Sequence, residues 1–333
     1  VKRLGFGIYG AGAIARDFAL GLRASSRCRL VHVCSRTHAS ALALSRDFDA
    51  KASETLDDLL ADPEVDALYV ATPHPFHEQP TLQALARGKH VLCEKPLAPD
   101  PSAAARMLDA ATSSGRLLVE GYMYRCHPLM AELGRQVQSG VVGKVRRVDA
   151  CFGFASTPVA GSRLFEPGLA GGAIWDIGGY PLSFALFVAG LAEQEAFALP
   201  ERAEWSAELG PTGVDEHARA TLLFASDVVA ELAVSIREHL GMRAVVTGER
   251  GRIELFSPWL PGGERHGTRS SWTLDVAGRA PETHTLEAPS VYALEADAFA
   301  ESVLRGCVTW PSVGVAESRA LARLLAEWRA QAR

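Results

Sequence analysis

The chain has 333 residues, enough for two domains with full cores. Hydrophobic residues make up 48% and charged residues 22%, the balance of an ordinary globular protein. The formal net charge of −5 supplies no basic stripe, so nucleic acid is not an expected partner.

Val1-Lys2-Arg3-Leu4 passes directly into strand pattern, so no targeting segment is expected. Leu4 to Tyr9 is the first apolar run, bounded by Gly10. Gly10-Ala11-Gly12-Ala13-Ile14-Ala15 follows, and then a helical pattern containing Phe18, Leu20 and Leu22. This is G-x-G-x-x-A between a strand and a helix. Gly10 allows the tight turn, Gly12 lets the backbone approach a pyrophosphate, and Ala15 keeps the helix close to the sheet. The free N–H groups at the helix start, around Ala13 and Ile14, then face the phosphates.

Arg29 to Cys34 is the second strand, with Ser35-Arg36-Thr37-His38 at its tip. An acid at this place binds the ribose 2′-hydroxyl in NAD-specific folds. Here a hydroxyl and a guanidinium stand instead, and they suit a 2′-phosphate. NADP is therefore favoured, with NAD as the alternative.

Alternation continues through helices at 39–47, 55–60, 79–87 and 101–113, and strands at 67–71, 91–92 and 117–120. It predicts a doubly wound parallel sheet. Ala71, Thr72 and Pro73 end one strand at the same sheet edge as Gly10 and Lys95, where ligands of such sheets bind. His74 and His77 are spaced i, i+3, but no third ligand is apparent, so no metal is expected. His77 reads instead as a loop anchor or a nicotinamide-side residue.

Cys93-Glu94-Lys95-Pro96-Leu97 closes the run His90-Val91-Leu92. Lysine is scarce: only Lys2, Lys51, Lys89, Lys95 and Lys144 occur, and arginine carries nearly all other positive charge. A lysine at a strand tip, restricted by the following proline, offers a compact ammonium with three donors.

The pattern changes after Tyr122-Met123-Tyr124-Arg125-Cys126-His127-Pro128. A helix at 129–139 precedes strand-like segments at 145–154, 218–224, 228–236, 243–247, 252–256 and 272–276. They predict an α+β domain with a large, mostly antiparallel sheet. The expected division is 1–124 for dinucleotide binding and 125–333 for substrate binding and dimerisation. A last helix at 313–329 is expected to pack back on the first domain. One broad face of the sheet needs a partner, hence a homodimer or a dimer of dimers.

In Ala170-Gly171-Gly172-Ala173-Ile174-Trp175-Asp176-Ile177-Gly178-Gly179-Tyr180-Pro181, two glycines lead into a helix expected to run to about Val188, capped by Gly190. Asp176 and Tyr180 are i, i+4 and share a face. Pro181 predicts a kink or early turn. Free tyrosine titrates near 10, and a neighbouring lysine cation lowers that value, favouring proton exchange with a substrate oxygen.

No apolar run approaches the ~20 residues of a membrane helix, so no membrane is expected. The six cysteines form no Cys-x-x-Cys pair, and several lie in apolar runs as reduced thiols do. The expected compartment is the cytoplasm.

Gly10–Ala15, Ala71-Thr72-Pro73 with His77, Gly88–Leu97, and Ala170-Gly171-Gly172 with Asp176-Ile177-Gly178 and Tyr180 together resemble the glucose–fructose oxidoreductase, inositol dehydrogenase and MocA family (Gfo/Idh/MocA). The resemblance spans essentially the whole chain, and Glu94-Lys95-Pro96 is its most specific signature. It implies a Rossmann domain plus an α+β domain, bound NAD or NADP, and hydride transfer to or from a sugar, polyol or related alcohol. Tyrosine at 180 is similar to the glucose–fructose oxidoreductase and dimeric dihydrodiol dehydrogenase type, which leans to NADP. The resemblance implies Lys95, Asp176 and Tyr180 as catalytic residues. It places Gly10, Gly12, Ala13, Ile14, Ser35, Arg36, Ala71, Thr72, Pro73, His77, Glu94 and Lys95 at the cofactor. Arg125, Phe154, Arg163 and Trp175 are the expected pocket walls. The segment from Arg163 to Gly168 looks about one residue longer than the family's usual spacing. The long N-terminal arm that buries the cofactor in glucose–fructose oxidoreductase is not expected here, so an exchangeable cofactor is expected.

The expected function is NADP-dependent hydride transfer with a carbinol or carbonyl of a sugar, polyol or dihydrodiol. Tyr180 exchanges the proton, Lys95 polarises the oxygen and tunes Tyr180, and Asp176 orients substrate or lysine. The alternatives are an NAD-dependent reductase of a nucleotide-linked keto sugar and a non-catalytic nucleotide-binding regulator.

Overall fold

The computed structural model describes residues 3–159 and 161–333. Val1 and Lys2, at the expected strand entry, lie outside the described residues. In chain order the elements are β1 (Leu4–Tyr9), α1 (Ala13–Ala24), β2 (Cys28–Cys34), α2 (His38–Asp47), β3 (Lys51–Ser53), α3 (Leu56–Ala61), β4 (Ala67–Val70), α4 (Glu78–Ala86), β5 (His90–Glu94), α5 (Pro101–Ser114) and β6 (Leu118–Gly121). Then come α6 (Pro128–Gln138), β7 (Val145–Gly153), α7 (Gly179–Glu193), β8 (Pro200–Leu209), β9 (Asp215–Phe224), β10 (Val229–Ser235), β11 (Gly241–Gly248), β12 (Gly251–Phe256), β13 (Arg269–Val276), β14 (Glu282–Glu287), α8 (Val291–Arg305) and α9 (Val315–Arg329).

The chain forms two compact units. The first runs to Cys126 and takes in Pro289–Ala322; the second holds His127–Ala288 and Arg323–Arg333. The expected boundary near 124 lies close to this one, but a continuous second domain from 125 does not form. The segment from Pro289, with α8, belongs to the first unit. The cause is packing: Gly21 of α1 lets the main chain of α8 pass at Tyr292, and Phe299 of α8 meets Phe6 of β1 at 5.3 Å between ring centres.

In the first unit six parallel strands lie in the order β3-β2-β1-β4-β5-β6. This is the doubly wound arrangement, with its switch point between β1 and β4. Register brings the carboxyl ends together: Tyr9 pairs with Cys34 and Val70, Val70 with Cys93, and Glu94 with Gly121. Below that edge Leu59, Leu68, Val91, Met107 and Leu108 form the core with Ala322 of α9.

The second unit is built on an eight-stranded sheet, β14-β13-β12-β11-β7-β10-β9-β8. Its neighbours are antiparallel except β7 and β10, which run parallel. Strands β3, β8 and β14 and helix α8 were not anticipated. The strands β8 and β14 are edge strands with largely exposed, polar sequences, so they carry little of the apolar pattern that marks a buried strand. Helix α7 continues past the expected stop at Val188 to Glu193, and Gln194 with φ 61° caps it. Gly190 lies inside the helix because the main chain at Phe197 passes where its side chain would stand. The irregularity expected at Pro181 appears just upstream as a π turn, Ile174–Gly178. Proline cannot donate its i→i−4 bond, and wider turns absorb that loss.

One segment, Pro167–Glu193, is after all long and apolar enough to cross a membrane by length and composition. Within the fold 94% of its apolar window is buried, which is the condition of a core helix.

Gly21→Val should lower stability by about 1–3 kcal/mol, the usual cost of overpacking, because a Cβ at Gly21 falls 2.5 Å from the Tyr292 Cβ. Thermal unfolding of the variant against the parent measures this.

Candidate active site

The first unit presents an open glycine turn at the carboxyl edge of its sheet. Gly10 has φ +105°, and a side chain there would begin 2.7 Å from the Ala71 carbonyl oxygen. Only glycine meets both conditions. Gly12 is the extended N-cap of α1, exposed, with no atom within 4 Å of the place a Cβ would take. The first-turn N–H groups of α1, at Ala13, Ile14 and Ala15, have no partner inside the helix. Their dipoles favour an anion at that end. At the tip of β2, Ser35 is half-buried and Arg36 exposed. These residues fit a dinucleotide: an open glycine turn for its pyrophosphate and a guanidinium for a further phosphate.

Two strand-tip loops are joined by His77. Its ring is fully buried, with Nε2 2.8 Å from the Thr72 carbonyl oxygen. Nδ1 lies 3.0 Å from the carbonyl oxygen of Pro96 and 3.2 Å from that of Leu97. Burial pushes the imidazole below its ordinary value, against the pull of the three carbonyls, and the Lys95 charge adds to the fall. Of the two roles expected for His77, the geometry is that of the loop anchor. Among the described residues no group of three or more His, Cys, Asp or Glu is placed to hold a metal ion.

Lys95 is half-buried in a run where Glu94, Pro96, Leu97 and Ala98 are all buried. Glu94, expected at the cofactor, turns its carboxylate into the core, where the Tyr69 hydroxyl donates to it. Arg125, expected as a pocket wall, is only 2% exposed. Its Nη1 donates to Glu317 at 2.7 Å, and its guanidinium lies 5.4 Å from the Trp310 ring centre. Its charge is committed to this buried pair, where losing one partner would leave the other uncompensated.

The second unit carries the other expected residues. Asp176 lies in the π turn and accepts from Arg163 at 2.8 Å; its side chain is 13% exposed and that of Arg163 50%. Tyr180 is buried in an aromatic socket, edge-on to Phe152 at 5.4 Å and tilted against Trp259 at 6.1 Å. Phe154 stands 6.2 Å from Phe152, and Trp175 is buried in the π turn. Trp259 is held in turn by its indole N–H, which donates to the Cys151 carbonyl at 2.9 Å.

Sequence reasoning missed the group that fixes this turn. Asp215, fully buried, accepts the Ile174 N–H at 2.7 Å and pairs with Arg329 at 3.0 Å. Gly172, at φ +113°, leaves the space that the Asp215 carboxylate fills. Asp215 thus caps, from another strand, a helix start whose own glycines cannot. No local signal marks it, because it stands 41 residues away from Ile174. Phe152 and Trp259 were missed for the same reason.

The chain belongs to the Gfo/Idh/MocA oxidoreductase family. Residues 4–122 match the model "Oxidoreductase family, NAD-binding Rossmann fold", and 130–254 match "GFO/IDH/MocA C-terminal domain". Trans-1,2-dihydrobenzene-1,2-diol dehydrogenase of Mus musculus is 31% identical over 98% of this chain and 96% of the relative. KijD10, a 3-ketoreductase from Actinomadura kijaniata solved with NADP and TDP-benzene, superposes with a TM-score of 0.86 at 27% identity over 100% of this chain and 98% of that one. Aldose-aldose oxidoreductase from Caulobacter crescentus, solved with glycerol, gives 0.86 at 25% identity over 99% and 97%.

Four buried acids are raised, in each case first through burial: Glu120 to about 7, Asp215 to about 6, Glu295 well above its ordinary value, and Glu317 against the pull of Arg125. The folded state holds these protons after the unfolded chain has released them. Stability from Glu120 and Asp215 is therefore full below about pH 4 and is lost as pH rises through 6 and 7. Asp62 works the other way: despite its burial, Lys51, the Glu64 N–H and His32 hold it at about 2, so its contribution fades only in stronger acid. The melting temperature should rise as pH is lowered from about 8 to about 5.5, and scanning calorimetry over that range checks it.

Proposed function

We propose that this chain is an NADP-dependent oxidoreductase acting on a carbinol or carbonyl carbon of a sugar, polyol or dihydrodiol. The observation that carries the reading is Lys95, a partly buried cation in an otherwise buried strand-tip run, at the same carboxyl edge of the sheet as the open glycine turn. Gly10, Gly12, Ala13 and Ile14 hold the pyrophosphate, and Ser35 and Arg36 take the 2′-phosphate. Ala71, Thr72 and Pro73, locked by His77, line the path beyond. When bound, the nicotinamide supplies or accepts a hydride at its C4. Tyr180 Oη passes the proton to or from the substrate oxygen, and the Lys95 ammonium polarises that oxygen. Asp176, paired with Arg163, orients the substrate; Phe154 and Trp175 shape the pocket.

The identity to the dihydrodiol dehydrogenases supports the substrate class. A second reading, reduction of a keto sugar linked to a nucleotide, is supported by the match to the 3-ketoreductase. That enzyme has also been solved with a tyrosine replaced by phenylalanine and a lysine replaced by alanine or glutamate, the two residue types assigned here to Tyr180 and Lys95. The cytoplasm is the proposed compartment, supported by six free cysteines. A homodimer, or a dimer of dimers, is the proposed assembly. The face of β7, β10 and β11 bearing Arg147, Asp149, Cys151, Glu231 and Arg243 offers the surface for it.

NADPH formation followed over a panel of aldoses, polyols, dihydrodiols and nucleotide sugars tests the reading. Tyr180→Phe should cut kcat by about a hundredfold or more while NADPH binding stays intact. Turnover surviving in that variant removes Tyr180 from the mechanism. Arg36→Ala should raise KM for NADP by about ten- to a hundredfold and leave KM for NAD nearly unchanged, as expected for loss of a charge-assisted phosphate contact.

A further inference from the structure

Glu120 is a carboxylate that the proposed reaction does not use, and burying it is costly. It stands on β6 opposite Cys93 of β5 and is 3% exposed. Its Oε1 accepts the Leu97 N–H at 3.0 Å, two residues past Lys95. From α9 the Ser318 hydroxyl supports it and Glu317 opposes it, and Glu317 is itself paired with Arg125 at 2.7 Å. Lys95 lies within electrostatic reach and favours its charged form. The edge of β6 is closed at this residue by a bridge to Val313.

We propose that Glu120 is a positioning residue for Lys95, fixing the Lys95–Leu97 turn through the Leu97 N–H and balancing the ammonium charge from the core side. The inference rests on the role assigned to Lys95 above. Glutamine would satisfy the N–H equally well; only a carboxylate also balances a cation. The groups facing Glu120 are Lys95 and Cys93 from β5 and its loop, and Glu317, with its partner Arg125, and Ser318. Burial, aided by Glu317, moves its titration to about 7. Above that pH Glu120 is charged and balances the ammonium; below it Glu120 is neutral, and Lys95 stays a cation without that balance.

The test compares the parent with Glu120→Gln, Glu120→Ala and Lys95→Met. In the free protein, acetic anhydride labelling of Lys95 against pH, read by peptide mass spectrometry, reports the amine directly. Glu120→Gln should speed labelling near pH 8 about threefold or more, as a lowered lysine pKa requires. It should leave NADPH affinity close to the parent, keep the melting temperature near pH 5.5 close to the parent and raise it near pH 8, lower kcat near pH 8 about tenfold, and erase the rise of kcat through pH 7. Glu120→Ala should show the same electrostatic effect and also lose melting temperature. Labelling and pH profiles of Glu120→Gln that superpose on the parent overturn the inference. Turnover that persists in Lys95→Met overturns instead the catalytic reading of Lys95, whatever the labelling shows.

Discussion

The carbonyl of Ala71 lies where a side chain at position 10 would begin, and the first unit is organised by that approach. Strand β4 leaves the sheet against the turn that follows β1, so both loops emerge together at the switch point of the parallel sheet. His77 then ties the β4 loop to the loop after β5 through three main-chain carbonyls. A glycine without a side chain and a histidine without exposure together set where the phosphate cradle and Lys95 stand. Neither touches the chemistry assigned to the neighbouring residues.

The second unit solves a comparable problem with a borrowed carboxylate. A helix that begins with glycines cannot cap itself, and a proline three positions into α7 disturbs its first bonds. Asp215 from β9 accepts the orphan N–H at Ile174, and the π turn absorbs the proline. Asp176 and Tyr180 are thereby carried on a start that is rigid but irregular. The aromatic socket of Phe152 and Trp259 holds the phenol ring.

In both units, charge inside the protein is spent near the candidate residues. Glu120, Glu317 with Arg125, and Asp215, which pairs with the partly exposed Arg329, are all buried. Such groups seldom add net stability, since desolvation opposes their pairing. Glu120 and Asp215 instead hold backbone N–H groups directionally, at Leu97 and Ile174. Arg125 illustrates the consequence for sequence reasoning: a cation beside an expected pocket proved to be an internal strut.

The local grammar of the chain was legible. G-x-G-x-x-A between strand and helix, the lysine at the tip of β5, and the arginine after β2 in place of an acid lie within a few residues of the backbone that shapes them. The parallel and antiparallel halves followed from apolar periodicity, because a buried strand must alternate or run apolar. Edge strands β8 and β14 escaped, being mostly polar. The return of α8 to the first unit, the inward turn of Glu94, the burial of Arg125, and the roles of Glu120, Asp215 and Trp259 belonged to tertiary structure alone. Each depends on a partner tens or hundreds of residues away, and burial of a polar group is decided by what packs over it.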